Sequence, residues 1–118
     1  MQKITPFLWF DNNGEEAVNF YTSVFENSQI VNVSRYSESA AKATGMPAGS
    51  AFIVSFRLEG QNFTAMNAGP HFKLNESISL FTYCESDEKI ERIYNKLCGA
   101  GKDLFPLDKY DWSPRYAW

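Results

Sequence analysis

Few residues in this chain carry reactive groups, and their spacing limits what they can do. The one histidine, His71, follows Gly69-Pro70 in a connecting segment. Nothing in the sequence sets a serine beside it, so no nucleophile–base relay is assembled. His71 therefore reads as a loop residue that packs or caps locally. Cys84 and Cys98 have neither metal-site spacing nor the pattern of a disulfide framework. They read as buried thiols kept reduced in a cytoplasm. Gly45-Met46-Pro47-Ala48-Gly49 lacks the lysine and the strand-to-helix setting of a phosphate loop. Glu15, Glu16, Glu88 and Glu91 fall on helices whose apolar faces point inward, which makes them solvent-facing charges. Arg57 sits on a strand near a turn. It can hold an anionic or carbonyl group, or it can be a solvated residue at a hairpin end.

The composition sets the frame for these residues. The chain has 118 residues, 44% hydrophobic and 16% aromatic. That is one domain with enough apolar surface for a core. Its net charge of −3 lacks the basic excess of a nucleic-acid binder. No apolar run approaches the ~18 residues of a membrane span. The opening MQKITPFLWFDNNGEE has no apolar core or small-residue cleavage site, so the expectation is a cytoplasmic protein without a secretory signal.

The elements that must position the side chains follow from pattern. Lys3 to Asp11 reads as a buried strand. Asn13, with Glu16 three residues on, predicts a capping box. The helix it opens extends to about residue 26, with Ala17, Val18, Tyr21, Val24 and Phe25 on one face. Gln29 to Tyr36 is a second strand, and Ser37 to Ser50 a long polar loop. Ala51 to Glu59 alternates, with Phe52, Val54, Phe56 and Leu58 one way and Ile53, Ser55 and Arg57 the other. Gly60 turns the chain into Asn62 to Ala68, centred on Glu59-Gly60 or Gly60-Gln61. Either register puts Ser55 and Arg57 on one face with Thr64 and Met66. Ser77 to Glu85 reads as a strand. Ser86 caps a second helix over 86–98, with Ile90, Ile93, Tyr94, Leu97 and Cys98 as its apolar stripe. Lys102 to Leu107 reads as a short strand and Pro106 to Pro114 as an aromatic loop. Tyr116-Ala117-Trp118 reads as the start of another strand. The order predicts an α+β fold with an antiparallel-rich sheet, built as β-α-β-β-β followed by β-α-β-β.

The runs ITPFLWFDNNGEEAVNFYTSVFENSQI and FRLEGQNFTAMNAGPHFKLNESISLFTYCES, with the tail PLDKYDWSPRYAW, resemble the PhnB-like branch of the vicinal oxygen chelate superfamily. This superfamily includes glyoxalase I, bleomycin resistance proteins and extradiol dioxygenases, and the branch is often labelled 3-demethylubiquinone-9 3-methyltransferase. The resemblance implies one domain over 1–118 made of paired βαβββ modules, about 1–70 and 71–118, the second lacking its closing strand. It also implies a homodimer. Metal-dependent members place His and Glu on the cleft side of their strands. The matching positions here are Pro6, Thr64 or Met66, and Ser77, which make no metal site, so no metal and no cofactor are expected. No glycine motif for S-adenosylmethionine follows a strand, so the residues do not support the methyl transfer in the label.

Within that fold, parity assigns the sheet face away from the helices to Leu8, Phe10, Ile53, Ser55, Arg57, Thr64, Met66, Ser79, Phe81 and Tyr83. Tyr116 and Trp118 close it. An aromatic wall with a few hydroxyls and one guanidinium is the make-up of a small-molecule cleft. The expected function is binding of a small hydrophobic or aromatic molecule without metal. The alternatives are a metal-dependent lyase or dioxygenase of the same superfamily, and a structural dimer module without ligand. Neither nucleic acid nor membrane is an expected partner.

Overall fold

A computed structural model describes residues 2–118. The chain divides into two compact units, up to Ile78 and from Ser79 to Trp118. Together they hold three helices, a four-stranded sheet and a two-stranded sheet, an α+β fold of the glyoxalase-like kind.

The first unit is a complete βαβββ module followed by a connecting segment. Its strands are β1 (Phe7–Phe10), β2 (Gln29–Arg35), β3 (Ala51–Leu58) and β4 (Gln61–Asn67), in the spatial order β1-β4-β3-β2. Helix α1 (Gly14–Val24) packs on one sheet face. Val18 meets Phe10, Val54, Phe56, Phe63 and Ala65 there, and Val18, Val54 and Phe56 are essentially closed to solvent. The β3–β4 turn is Glu59-Gly60, since Leu58 pairs with Gln61. Both turn residues have positive φ, 49° and 82°, as the tight hairpin requires.

Three expectations for this unit are corrected. Asn13 precedes α1 but makes no side-chain cap bond. The Gly14 amide instead donates to Asn67 Oδ1 at the end of β4, at 2.8 Å. A cap drawn from a residue so distant in sequence leaves no local signature. Ser37 to Ser50 is not all loop, because α2 (Glu38–Thr44) lies within it. Ser37 accepts from Ala40 N at 3.2 Å, and Gly45 ends the helix in the left-handed conformation. The helix buries none of its residues, so it shows no apolar stripe.

The third correction is the parity of β1. This strand runs parallel to β4, with Phe7 beside Thr64, Leu8 beside Ala65, Trp9 beside Met66 and Phe10 beside Asn67. Phe10 therefore faces the core under α1, and Phe7 and Trp9 share the opposite face. A strand that is apolar on both sides carries no alternation from which its face can be read.

In the second unit, α3 (Asp87–Ala100) starts where Ser86 accepts from Lys89 N at 3.1 Å. A hairpin follows, β5 (Asp108–Tyr110) and β6 (Ser113–Tyr116); β5 and the start of β6 lie in the stretch Pro106 to Pro114 expected to be a loop, and Tyr116, expected to open a strand, ends β6. Phe105 and Trp118 exchange two backbone hydrogen bonds of 2.9 Å beyond its end. The strand expected over Lys102 to Leu107 is not formed. Nor is the one over Ser77 to Glu85, which pairs with no other strand among the described residues. Ile78 and Tyr83 in that segment are 82% and 86% exposed. β-propensity needs a ladder partner to become a strand, and that partner is a tertiary property.

Candidate functional site

Two surfaces, one in each unit, gather the residues singled out by sequence. The first is the face of the four-stranded sheet opposite α1. Cross-strand register sets Ser55 opposite Thr64, Ile53 opposite Met66 and Arg57 opposite Asn62, so the predicted sharing of one face holds. Arg57 Nε donates to Asn62 Oδ1 at 3.2 Å, which orients the guanidinium along the sheet. Pro6 O accepts from Thr64 N at 3.0 Å, so Pro6 does adjoin Thr64, without a donor side chain. Trp9 completes this face beside Met66, and its indole N–H donates to Gly69 O at 2.9 Å. His71 and Phe72 lie edge-on to that indole, with ring centroids 6.4 and 4.9 Å away. His71 is thus a loop residue packed against an aromatic ring. Ser77 bonds locally to Asn75 Oδ1.

The second surface is a cavity of about 320 Å³ within the second unit. Ser79, Phe81, Tyr116 and Trp118, four of the predicted residues, line it. Ile93, Tyr94, Leu97 and Cys98 contribute the apolar stripe of α3, and Cys84 lines the cavity as well. Tyr83 does not line this cavity. Among the ionisable side chains at the cavity are Lys102 and Asp103. The Tyr94 hydroxyl donates to Asp103 Oδ2 at 2.6 Å. That hydrogen bond, followed by desolvation, holds the Tyr94 phenol above its ordinary value, at about 12. Tyr94 therefore stays a donor throughout the neutral range.

Sequence reasoning did not find the polar pair. Tyr94 was legible only as part of an apolar stripe, and Asp103 only as part of a short strand over Lys102 to Leu107. No periodic signal joins them, because the chain must leave α3 and double back. The Trp9 position was missed with the parity of β1. Asn67 was missed because its role is to bond Gly14, Ala51 and Tyr36. Its Nδ2 donates to Ala51 O at 3.1 Å, and its carbonyl accepts from the Tyr36 hydroxyl.

No group of three or more His, Cys, Asp or Glu side chains comes together among the described residues. No helix is long and apolar enough to cross a membrane among the described residues.

A family model described as 3-demethylubiquinone-9 3-methyltransferase matches residues 2–118. Among solved structures, the PhnB protein of Bacillus cereus is 38% identical, with 99% of this chain and 89% of that one aligned and a TM-score of 0.89. A Staphylococcus aureus protein is 32% identical over 100% of this chain and 86% of its own, with a TM-score of 0.45. A Pseudomonas aeruginosa protein shares the fold at 18% identity, with 99% and 87% coverage and a TM-score of 0.76. No curated protein matches. With its module order, its sheet register and this likeness over nearly its whole length, the chain belongs to the PhnB-like 3-demethylubiquinone-9 3-methyltransferase family.

Proposed function

We propose that this PhnB-like domain belongs to the vicinal oxygen chelate superfamily and binds a small apolar or aromatic molecule without a metal ion. The observation that carries the reading is the cavity of about 320 Å³ with aromatic and aliphatic walls and a few polar groups. That volume and lining suit a ligand of one or two small rings. The donor set supports metal independence. Thr64, Met66, Ser55 and Arg57 on the sheet face offer no carboxylate or imidazole, and Asp103 is the one carboxylate side chain lining the cavity.

Methyl transfer finds no support in the residues. In doubly wound methyltransferases the cofactor rests on a glycine-rich turn ahead of a helix. Here the turn before α1 has its leading amide, Gly14 N–H, already committed to Asn67 Oδ1. A Cβ at that glycine would stand 2.6 Å from the same oxygen, so the space is filled by protein. The family label thus describes a sequence relationship, and the reading here is of a binding domain working in the cytoplasm.

Thermal shift with indole tests the reading. A ligand at 100 times its Kd stabilises the fold by roughly 2.7 kcal/mol. Indole should raise the melting temperature of the native protein and leave a cavity-filling Leu97→Trp variant unmoved. Equal response of both proteins, or none by either, defeats the proposal.

The same reading includes a homodimer. Trp112 and Trp118 are 62% and 43% exposed on a hairpin whose rings stack on one another, Tyr110 and Trp112 at 5.0 Å between centroids. Exposed aromatic clusters of this kind are favoured at interfaces. Sedimentation equilibrium at micromolar concentration should give twice the 13.5 kDa chain mass. A single species at the chain mass would remove the dimer.

A further inference from the structure

We propose that the cavity of the second unit selects ligands in which an alkylammonium group is joined to an aromatic ring by a short chain, with the Asp103 carboxylate receiving the ammonium. The inference rests on the small-molecule reading above and adds the chemical class of the ligand.

The walls and the polar group divide the work. Phe81, Tyr116 and Trp118 offer ring faces, and Ile93 and Leu97 offer aliphatic packing. Such walls take up an aromatic ring by burial and ring contact. Their π-faces also favour a cation over an anion.

Asp103 supplies the direction of selection. One of its oxygens, Oδ2, accepts from Tyr94 at 2.6 Å, and no ion-pair partner is present for it among the described residues. Tyr94 projects from α3 and lines the same cavity, so the hydrogen bond pins the carboxylate at the cavity wall. Its second oxygen remains to accept from a ligand. A pinned acceptor loses little freedom on binding, and a charge-assisted bond to an ammonium is stronger than one to a neutral donor.

Lys102 lines the cavity too and would favour the opposite head group. Both side chains are exposed, but the Lys102 ammonium rides on a flexible four-carbon stem, whereas the Asp103 carboxylate is held by the Tyr94 hydroxyl. The fixed charge sets the preference.

The test compares three ligands that share one ring and differ in head group: 2-phenylethylamine, 2-phenylethanol and 3-phenylpropionate. Binding to the native protein is measured at neutral pH by calorimetry and by amide chemical shifts. The amine should bind roughly tenfold or more tightly than the alcohol, and the acid most weakly. Asp103→Asn should bring amine and alcohol to equal affinity, with the alcohol's own affinity unchanged. Tyr94→Phe should reduce the amine preference by freeing the carboxylate. Lys102→Met should improve the acid without removing the amine's lead. Binding of all three with equal affinity overturns the amine selection and leaves small-molecule binding standing. Tightest binding of the acid, or an amine preference that survives in Asp103→Asn, overturns it as well. Binding of none overturns both readings.

Discussion

Gly14 and Asn67 are joined across the first unit by a 2.8 Å hydrogen bond from the glycine amide to the asparagine Oδ1. Asn67 is only 3% exposed. The same side chain donates to Ala51 O, so it ties the start of α1, the end of β4 and the start of β3 into one corner. A glycine is required because the asparagine oxygen occupies the place a Cβ would take, 2.6 Å away.

Gly14→Ala should therefore destabilise, although alanine is the better helix former. The expected loss is about 1–3 kcal/mol, read as a lower urea midpoint. Asn67→Ala should cost a similar amount by leaving the Gly14 amide and Ala51 carbonyl unpaired. The two changes share one contact, so the double variant should lose clearly less than the sum. Strict additivity would show that the corner does not act as a unit.

Tyr94 and Asp103 predict a stability change in alkali. The folded phenol titrates at about 12, above its unfolded value near 10. A raised folded value contributes stability that is fully present below about pH 10 and is lost as pH rises toward 12. In Asp103→Asn the Tyr94 titration should move down toward the ordinary tyrosine value, followed by tyrosinate absorbance. The variant should lose less stability than the native protein across that alkaline range. An unchanged tyrosine titration would show that Asp103 does not control the phenol.

Two phenylalanines of contrasting burial predict contrasting costs. Phe56 is 1% exposed and stacks on Phe63 at 5.4 Å between centroids, whereas Phe81 is 65% exposed. Phe56→Ala should cost about 3–5 kcal/mol through the cavity it leaves. Phe81→Ala should change stability by less than about 1 kcal/mol while weakening uptake of an aromatic ligand. Denaturant unfolding of both variants gives the comparison.

Elemental analysis of protein purified without chelator should find zinc, nickel, manganese and iron well below one ion per chain. The reason is chemical: Pro6 has no donor side chain, and Thr64, Met66 and Ser77 are not strong ligands for these ions. A stoichiometric metal would require ligands from somewhere other than these strands.

Much of the fold is written in local pattern. The stripe from Val18 to Val24, the Ser86 cap and the Ile90, Ile93 and Leu97 spacing specify α1 and α3, because a helix bonds within itself and needs only a few turns of sequence to declare its buried face. The alternation in Ala51 to Leu58, broken by Glu59-Gly60, likewise specifies the β3–β4 hairpin and places Ser55, Arg57, Thr64 and Met66 on one face. The runs shared with the PhnB-like family carry the fold as a whole.

What sequence alone left open depends on partners distant along the chain. Whether Phe10 or Trp9 faces the core is decided by the parallel pairing of β1 with β4, which a short strand apolar on both sides does not encode. Ser77 to Glu85 has strand-like residues and no ladder to join. Asn67 becomes a helix cap, and Asp103 becomes a fixed acceptor beside Tyr94, only when the folded chain brings them together. Helix stripes and hairpin alternation arise from neighbours within a few residues. Strand faces, long-range caps and cavity-lining charges are set by contacts that exist only after the elements have packed.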